Sequence, residues 1–333
     1  MVQRRVRMKD VAAHAGVSPR TVSNVVNNYA YVSDEMRARV QASLDELGYQ
    51  MDYLARGLRS GRTGFVALVV PSLAEPYFAA LAESVIRAAR EHRLSVLVET
   101  TGNAPEIERE VLQGSLTRMV DGVLLNAVAG PAPGIAELPA VILGESPPVA
   151  NAPQVGIDNV AAARTVVQHL IDCGHRRILA YGNQDTETAR LRFEGYRQAM
   201  TEARLGRLLN LDYDSGPWSA EGAYRDVAKL LRRRARPPEA IFAFNDSLAH
   251  GALRAIRDHG LAVPGDVAVA GIDDIAMSAF SEPPLTTVAP DLDELARQAV
   301  GLLVDRIDGR PAAHGFTRML TPFRLVVRGS TVA

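Results

Sequence analysis

Residues 8–32 read MKDVAAHAGVSPRTVSNVVNNYAYV and decide the fold at the amino end of the chain. Apolar residues recur there at helical spacing on both sides of Gly16, which stands where the chain has to turn and tolerates a positive φ. Ser18 is a good helix N-cap, and Pro19 suits the first helical position. The segment therefore predicts two short amphipathic helices around a tight turn, the helix-turn-helix that reads DNA.

The second predicted helix has one apolar face and one polar face. Val22, Val25 and Val26 form the apolar face, and short polar side chains occupy the other. Such side chains, with one arginine among them, suit contacts with base edges and phosphates. We expect Arg20 to bind a guanine through O6 and N7, and Asn24 to contact an adenine or a neighbouring base edge. The predicted DNA-contacting residues of this segment are Ser18, Pro19, Arg20, Thr21, Ser23, Asn24 and Asn27.

Length and charge separate this segment from the rest of the chain. The 333 residues are too many for one DNA-reading module and suggest two or three domains, each with its own core. Residues 1–62 hold ten basic and six acidic side chains, a net charge of +4, which leaves −5 for the remainder because the whole chain carries −1. A basic head on an acidic body fits a protein that contacts phosphates at one end only.

The sequence also bears on location and on bound groups. No uncharged apolar run approaches the roughly 20 residues needed to span a membrane, and no apolar segment follows the basic amino terminus as it would in a signal peptide. Cys173 is the only cysteine, which excludes an intrachain disulfide and a cysteine-rich zinc site. We expect a cytoplasmic protein that has no membrane contact and needs no cofactor.

After the helix-turn-helix the chain changes character twice. A third helix opens at 33–35, a small all-α domain ends near residue 49, and residues 50–62 form a linker. Beyond it, buried strand-like runs alternate with amphipathic helices, which indicates parallel sheets covered on both faces. Their number favours two Rossmann-like subdomains with a ligand cleft at the carboxyl ends of the strands. The predicted strands are 65–71, 94–100, 122–128, 140–145, 177–183, 240–246 and 267–273, and the predicted helices are 77–91, 105–119, 159–173, 188–204, 218–234, 246–259 and 291–308.

Motifs in both parts resemble one family. The pattern KDVA-x-x-AGVS-x-x-TVS-x-V-x-N at residues 9–27 resembles the amino-terminal headpiece of the LacI/GalR family of bacterial transcription regulators. The remainder is similar to the regulatory domain of that family, which is shared with periplasmic sugar-binding proteins. The similarity runs essentially end to end through PSLAEPYF (71–78), DGVLL (121–125), GHRRI (174–178), RFEGY (192–196), FNDSLAHGAL (244–253), GIDD (271–274) and PPLTTV (283–288).

The resemblance implies a small all-α helix-turn-helix headpiece and an α/β body like that of periplasmic binding proteins. The body would consist of two Rossmann-like subdomains, between which the chain crosses three times in this family. The implied parts are a DNA-binding domain (1–49), a hinge (50–62) and an effector-binding and dimerisation domain (63–333), the last divided into an amino subdomain (about 63–158 and 290–317) and a carboxyl subdomain (about 159–289 and 318–333).

The hinge has its own motif. The family's A-R-x-L is matched by Ala55, Arg56 and Leu58. The resemblance implies a hinge helix that folds when two copies meet on DNA, with Ala55 and Leu58 at the minor groove and Leu58 as the apolar wedge that bends the duplex. A plain interdomain linker is the alternative. Asp52 replaces the asparagine that often precedes the hinge in the family.

Polar and aromatic residues at several strand and loop ends can converge on the cleft. Arg192 offers a rigid fork of donors, and Asp273 offers a paired acceptor for vicinal hydroxyls or ring nitrogens. Trp218, the only tryptophan, offers a flat face. Each of these residues also has an alternative role that is only structural. Asp273 or Asn245 would cap a helix, Arg192 would form a surface ion pair, and Trp218 would belong to the core. The effector-contacting positions implied by the resemblance are Phe78, Thr188, Arg192, Trp218, Asn245 and Asp273, with Glu145 a weaker candidate.

The predicted function is that of a homodimeric transcriptional regulator, a repressor that binds double-stranded operator DNA in the bacterial cytoplasm, at the nucleoid. A small molecule between the subdomains would control the DNA affinity, but only as far as its affinities for the two states differ. In most of the family the molecule is a sugar that releases DNA. A few members need a purine to bind DNA, and that alternative stays open.

A sugar-modifying enzyme and a ligand-binding protein without regulation are the rival classes. The sequence contains neither G-x-G-x-x-G nor G-x-x-x-x-G-K-[ST], so a nucleotide-phosphate cradle has no motif. The seven histidines are scattered without the spacing of metal ligands. A protein that only binds ligand would lack the headpiece. We expect no enzymatic activity.

Overall fold

The computed structural model describes ten stretches of the chain. They divide between two compact units, Met1–Thr63 and Gly64–Ala333, and each unit is described by itself. Within the described stretches no helix combines the length and the apolar character that a membrane crossing requires. The described residues are 6–26, 29, 31–49, 62–127, 138–145, 152–206, 212–214, 218–233, 236–310 and 318–332.

The first unit is a bundle of three short helices, α1 (Met8–Ala15), α2 (Pro19–Val26) and α3 (Asp34–Glu46). Gly16 ends α1 with a φ of +63°, which is the turn that the sequence predicts. The Ser33 hydroxyl accepts the backbone N–H of Met36 and caps α3. Apolar residues one helical turn apart supply a small core, and its buried members are Val11, Ala12, Ala15, Val22, Val25, Val40 and Leu44.

The second unit alternates strands and helices. Its strands are β1 (Phe65–Val70), β2 (Ser95–Thr100), β3 (Gly122–Leu125), β4 (Ala140–Leu143), β5 (Gln154–Gly156), β6 (Ile178–Asn183), β7 (Asp212–Asp214), β8 (Ala240–Ala243), β9 (Ala268–Ile272), β10 (Thr286–Pro290), β11 (Arg318–Leu320) and β12 (Phe323–Val326). Its helices are α4 (Pro76–Glu91), α5 (Pro105–Gln113), α6 (Asn159–Asp172), α7 (Glu187–Glu202), α8 (Ala220–Arg233), α9 (Asp246–Asp258) and α10 (Leu292–Ile307).

The amino subdomain is built on a six-stranded parallel sheet in the order β11-β5-β4-β3-β1-β2. The central strand β1 is apolar on both faces. Val66 and Leu68 pack into a core shared with α4 and α10, whereas Ala67 and Val69 face a second core that contains Leu112 of α5. Burial on both faces explains why this strand reads as a continuous apolar run.

The carboxyl subdomain is built on a second six-stranded sheet in the order β12-β10-β9-β8-β6-β7. Its strands are parallel except β12, which runs antiparallel to β10 at the edge. Helices α6 and α7 pack against each other, as do α8 and α9, and one apolar core joins them to the sheet. The carboxyl ends of the strands carry the loops in which several predicted effector residues lie.

Three segments connect the two subdomains: one between β5 and α6, one between β10 and α10, and one between β11 and β12. The expectation that residues 318–333 all belong to the carboxyl subdomain is wrong for Arg318–Leu320. This strand pairs with β5 in the first sheet, and the chain crosses only afterwards, at 321–322. The edge beside β5 offers unpaired backbone groups, and a three-residue strand satisfies them before the chain leaves.

Candidate functional site

The polar face of α2 is open to solvent. Ser18, Pro19 and Arg20 are exposed, and Thr21 is half-buried. The Ser18 hydroxyl accepts the backbone N–H of Thr21 at 3.1 Å, so it caps the first turn as the sequence predicts. Ser23 and Asn24 are half-buried on the same helix. A helix that buries its valines and presents this face has the form of a recognition helix.

Three predicted DNA contacts lie outside the described residues: Asn27, at the end of the second helix motif, and Ala55 and Leu58 of the hinge. Their roles remain predictions from the sequence.

In the second unit, Arg192 and Asp273 come together from different elements. Arg192 lies on α7, and Asp273 follows β9. A guanidinium nitrogen of Arg192 lies 3.8 Å from a carboxylate oxygen of Asp273, and each side chain is 8% exposed. Burial lowers the pKa of Arg192, and the charge of Asp273 opposes that effect. Burial also raises the pKa of Asp273 well above its usual value, against the attraction of Arg192.

The backbone at Asp273 is strained. Asp273 has a φ of +132° and Asp274 a φ of +49°, which L-residues with a Cβ rarely adopt. Such conformations cluster at ligand sites, where the surrounding structure enforces them. The Asp273 carboxylate also accepts the backbone N–H of Asp246 at the start of α9. The strain therefore places the carboxylate of Asp273 between a helix N-terminus and the Arg192 guanidinium.

Trp218 lies beside this pair. Its indole N–H donates to the Gly182 carbonyl at 2.8 Å, and the guanidinium carbon of Arg192 lies 5.6 Å from the centre of its ring. The ring also meets Phe244 edge-on. Asn245 is buried, and its side-chain oxygen accepts the backbone N–H of Leu248 at 2.8 Å. The helix cap considered for Asn245 is therefore present, at the carboxyl end of β8.

The other two predicted effector residues are less directly connected to the pair. Thr188 is half-buried on the first turn of α7, one turn before Arg192, so both lie on the same side of that helix. Phe78 is on α4 in the amino subdomain, half-buried, with its ring 5.2 Å from that of Tyr77 and packed on the amino core. Neither makes a side-chain hydrogen bond to Arg192 or Asp273 within the described part of the chain.

A polar chain that the sequence did not reveal runs from Arg192 across the cleft. The Arg192 Nε donates to the Asn159 side-chain oxygen at 2.7 Å, and the Asn159 amide donates to Glu145 at 3.2 Å. Glu145 in turn accepts from Arg318 at 2.5 Å. Asn159 and Arg192 belong to the carboxyl subdomain, whereas Glu145 and Arg318 belong to the amino subdomain. The side chain of Asn159 therefore joins the two walls.

A second contact crosses the cleft nearby. The Ser247 hydroxyl, in the first turn of α9, donates to Glu75 at the start of α4 at 2.9 Å. Burial raises the pKa of Glu75, and the hydrogen bond from Ser247 partly offsets this. Burial and the charge of Asp273 raise the pKa of Tyr77, so its phenol stays protonated beside the pair. Glu75 and Ser247 lie in the motifs PSLAEPYF (71–78) and FNDSLAHGAL (244–253), but nothing in the sequence indicates that the two side chains meet.

An open depression lies away from Trp218. A hollow of about 490 Å³ opens beside the segments that connect the subdomains, lined by Arg87, Asp291 and Phe323 among others. It touches the pair only at Asp273 and does not reach Trp218. The two cross-cleft contacts join the walls of the cleft that contains Arg192. No group of histidine, cysteine or carboxylate side chains within the described stretches could hold a metal ion.

Two family models match the chain in the order of its two units. The model for "Bacterial regulatory proteins, lacI family" matches residues 7–52, and the model for "Periplasmic binding protein-like domain" matches residues 167–331. The ribose operon repressor of Escherichia coli (strain K12) is 35% identical over 332 residues, which cover 97% of this chain and 99% of that protein. The chain belongs to the LacI family of bacterial regulatory proteins.

Solved structures of LacI-family proteins share the fold. The lac repressor dimer bound to operator and the anti-inducer ONPF is 29% identical, with a TM-score of 0.85, over 99% of this chain and all of that one. A complex of the transcriptional regulator CelR with cellobiose is 34% identical, with a TM-score of 0.72, over 98% of this chain and all of that one. The predicted headpiece and two-subdomain body are confirmed.

Membership of the LacI family identifies the protein as a DNA-binding transcriptional repressor with a ligand-binding domain, and not as an enzyme. The rival classes weighed from the sequence are thereby excluded.

Proposed function

We propose that this repressor binds a sugar in the cleft between its subdomains, and that the sugar controls its affinity for operator DNA. The observation that carries the proposal is the buried pair of Arg192 and Asp273 beside the Trp218 ring. A sugar hydroxyl can donate to a carboxylate and accept from a guanidinium at once. The pair presents a donor and an acceptor 3.8 Å apart, so one hydroxyl or two neighbouring hydroxyls can contact both groups.

The same geometry favours a sugar over a purine. A planar base binds by stacking on an aromatic face, but the Arg192 guanidinium already lies over the Trp218 ring, and Phe244 occupies its edge. A sugar depends more on hydrogen-bond partners for its hydroxyls, such as Arg192 and Asp273, than on a free aromatic face. The relatives that carry ribose or cellobiose in their names support the sugar class. Phe78, Thr188 and Asn245 complete the proposed contact set on the cleft walls.

The two walls give the ligand a means of action. The hydrogen bonds from Asn159 to Glu145 and from Ser247 to Glu75 join the subdomains next to the proposed ligand position. A sugar that hydrogen-bonds to Arg192 competes with Asn159 for its guanidinium. The loss of that partner changes the hydrogen bonding of Asn159 and therefore the preferred angle between the two subdomains. The ligand shifts DNA affinity by as much as it prefers one angle over the other.

On the DNA side we propose that two copies bind a near-palindromic operator at the nucleoid, with α2 of each copy in a major groove. Ser18, Pro19, Thr21, Ser23 and Asn27 would position the helix, and Arg20 and Asn24 would read bases. The proposed DNA-binding domain is 1–49, followed by the hinge at 50–62, in which Ala55 and Leu58 would enter the minor groove. The exposed apolar side chains Met277 and Phe280 fit a protein that associates with itself.

The proposal is tested by fluorescence anisotropy of the purified chain on a palindromic operator with a central CG step, at fixed salt because phosphate contacts are salt-dependent. Ribose, cellobiose, sugar phosphates and purines are added in turn, and the emission of Trp218, the only tryptophan, reports occupancy of the cleft. The proposal expects one sugar to change both signals. A purine that strengthens DNA binding, or a panel without effect on Trp218, contradicts it.

A further inference from the structure

Asp246 is the first residue of α9 and lies directly beneath the proposed ligand site. Its side chain is fully buried, yet no arginine or lysine pairs with it among the described residues. A buried carboxylate that no basic side chain contacts directly is costly, even with Arg192 attracting it from a longer distance, and needs several donors to offset the loss of water. The predicted effector residues do not include it, and the proposed sugar contacts do not use it.

Three donors converge on this carboxylate. The Thr287 hydroxyl donates to one oxygen at 2.6 Å, and the Ser278 hydroxyl donates to the other at 2.6 Å. The backbone N–H of Ile275 donates to that second oxygen at 3.1 Å. Ser278 comes from a short helical turn, Ala276–Ala279, and Thr287 from β10. Asp246 thus connects three separate pieces of the subdomain.

All three donors lie close to the strained backbone of Asp273 and Asp274. Ile275 directly follows Asp273 and Asp274, the two residues with positive φ. The Thr287 hydroxyl that donates to Asp246 also lies 3.4 Å from the backbone nitrogen of Asp274. A Cβ at position 271, two residues before Asp273, would overlap an oxygen of Asp246. The chain passes so close to the carboxylate that its path on both sides of Asp273 is set by Asp246.

We propose that Asp246 is a positioning residue for the ligand. Its carboxylate fixes the turn 273–278 and so holds the Asp273 carboxylate opposite Arg192, where sugar hydroxyls can contact both groups. The same residue contributes its backbone N–H to Asp273, so it sets both the path of the chain and the orientation of the side chain. The inference rests on the proposed function, because it needs Asp273 to contact the ligand.

Burial raises the pKa of Asp246 to about 6, so its role depends on pH. Asp273 and Asp274 face it from the loop after β9, Arg192 faces the site from α7, and His250 on α9 reaches it through Ser278, with its Nε2 3.2 Å from the Ser278 hydroxyl. Protonation of Asp246 turns one of its oxygens into a hydroxyl donor, so the group no longer accepts fully from all three donors. At acid pH the hydrogen bonds to Asp246 that fix the turn 273–278 therefore weaken, and the affinity for the ligand falls.

The test uses the full chain with Asp246→Asn, which keeps the shape but cannot accept all three donors. The matched control is Asp258→Asn on the same helix, where the carboxylate is exposed and pairs with Arg254. Hydrogen exchange without ligand follows the amides of 273–280, and Trp218 emission follows the surroundings of Arg192. We expect exchange about tenfold faster and altered emission in Asp246→Asn alone.

Binding of ribose as the probe, measured by calorimetry from pH 5 to pH 7.5, completes the test. We expect an affinity about tenfold weaker in Asp246→Asn, without the loss below pH 6 that the wild type and Asp258→Asn share. If wild type ignores ribose while exchange and emission both change in Asp246→Asn, ribose is rejected and the positioning role stands.

Two results would overturn the inference. One is unchanged exchange in a folded Asp246→Asn protein. The other is faster exchange with unchanged Trp218 emission and unchanged ribose affinity, since the turn would then be held without positioning Asp273. Should Asp246→Asn not fold, Ser278→Ala keeps the carboxylate and removes one donor. The same readouts then apply, and their constancy would equally contradict the role of Asp246.

Discussion

The guanidinium of Arg192 lies 3.8 Å from the carboxylate of Asp273, and both side chains are 8% exposed. Such a pair adds little to stability, because the cost of removing two charges from water offsets most of their attraction. The strained backbone at Asp273 adds a further cost of about 1–3 kcal/mol. The arrangement is therefore better explained by what it binds than by what it contributes to the fold.

Asp273→Asn separates binding from folding. The amide keeps the volume of the carboxylate but is a weaker acceptor, and hydrogen bonds to a charged group are worth about 1.5–3 kcal/mol each. We expect affinity for the effective sugar to fall about tenfold to a hundredfold, with operator binding in the absence of sugar unchanged. Titration of Trp218 emission measures the first, and anisotropy measures the second. Asp274→Asn is the control, since Asp274 pairs with Arg328 instead.

Retention of full sugar affinity by Asp273→Asn would show that the ligand binds elsewhere. The depression near Asp291 and Phe323 would then be the place to examine.

The free energy of unfolding should depend on pH through the ionisation of Asp246. Burial raises its pKa from 3.8 to about 6, so the folded chain keeps a proton that the unfolded chain releases between these values. Rising pH in this window therefore lowers the free energy of unfolding, by about 3 kcal/mol for this group. Asp246→Asn lacks this decline. The difference between wild type and variant, from urea unfolding at several pH values, should shrink as the pH rises.

Other carboxylates act in the opposite direction and cancel in that comparison. Hydrogen bonds from arginine lower the pKa of Glu194 and Glu294, so their stabilisation of the fold grows as pH rises toward the usual value of 4.5 and is constant above it. They are the same in both proteins. A difference that stays constant with pH would mean that Asp246 is ionised at no greater cost than in the unfolded chain.

Much of the body follows from local patterns. Strands β1, β3, β4, β6, β8 and β9 were predicted within a few residues because both of their faces are buried and they read as apolar runs. Strand β10 was missed because it begins with Thr286 and Thr287. These threonines are fully buried, and their hydroxyls bond to the Arg328 carbonyl and to Asp246. Because this strand begins with two polar residues, the sequence does not show that it is buried. The hydrogen-bond partners of these residues are distant in the sequence.

The site was predictable in part for the same reason. Arg192 and Asp273 carry distinctive chemistry within motifs, Trp218 is the only tryptophan, and the structure brings the three together. Asn159 and Ser247 carry none in isolation. Their importance comes from lying opposite Glu145 and Glu75, 14 and 172 residues away in the chain. Only the way the chain crosses between subdomains makes these pairs neighbours, and no local pattern encodes that.

Gly251 allows helices α8 and α9 to pack closely against each other. A Cβ at this position would overlap the Ala220 carbonyl and the Ala223 side chain. We expect Gly251→Ala to lower the free energy of unfolding by about 1–3 kcal/mol through overpacking. Gly301 on α10 is the matched control, because a Cβ there meets nothing within 4 Å. Gly301→Ala should raise stability by about 0.5–1 kcal/mol. Thermal unfolding of the two variants measures both.

Equal effects of the two substitutions would contradict this packing, since both glycines lie inside helices and differ only in their surroundings.

Arg20 on α2 is the residue that we expect to read a base of the operator. It is exposed on the polar face of a helix whose valines are buried, and its guanidinium can bind both O6 and N7 of a guanine. We expect Arg20→Ala to lower affinity for the cognate operator by about 1–3 kcal/mol and to relax the preference at one base pair per half-site. Anisotropy on operators substituted at each position in turn measures both effects. Arg39→Ala is the control because Arg39 is equally exposed but lies on α3. Removal of a phosphate contact would weaken all sequences alike and reduce the salt dependence, so a uniform loss in Arg20→Ala would place Arg20 on the backbone and move base reading to Asn24.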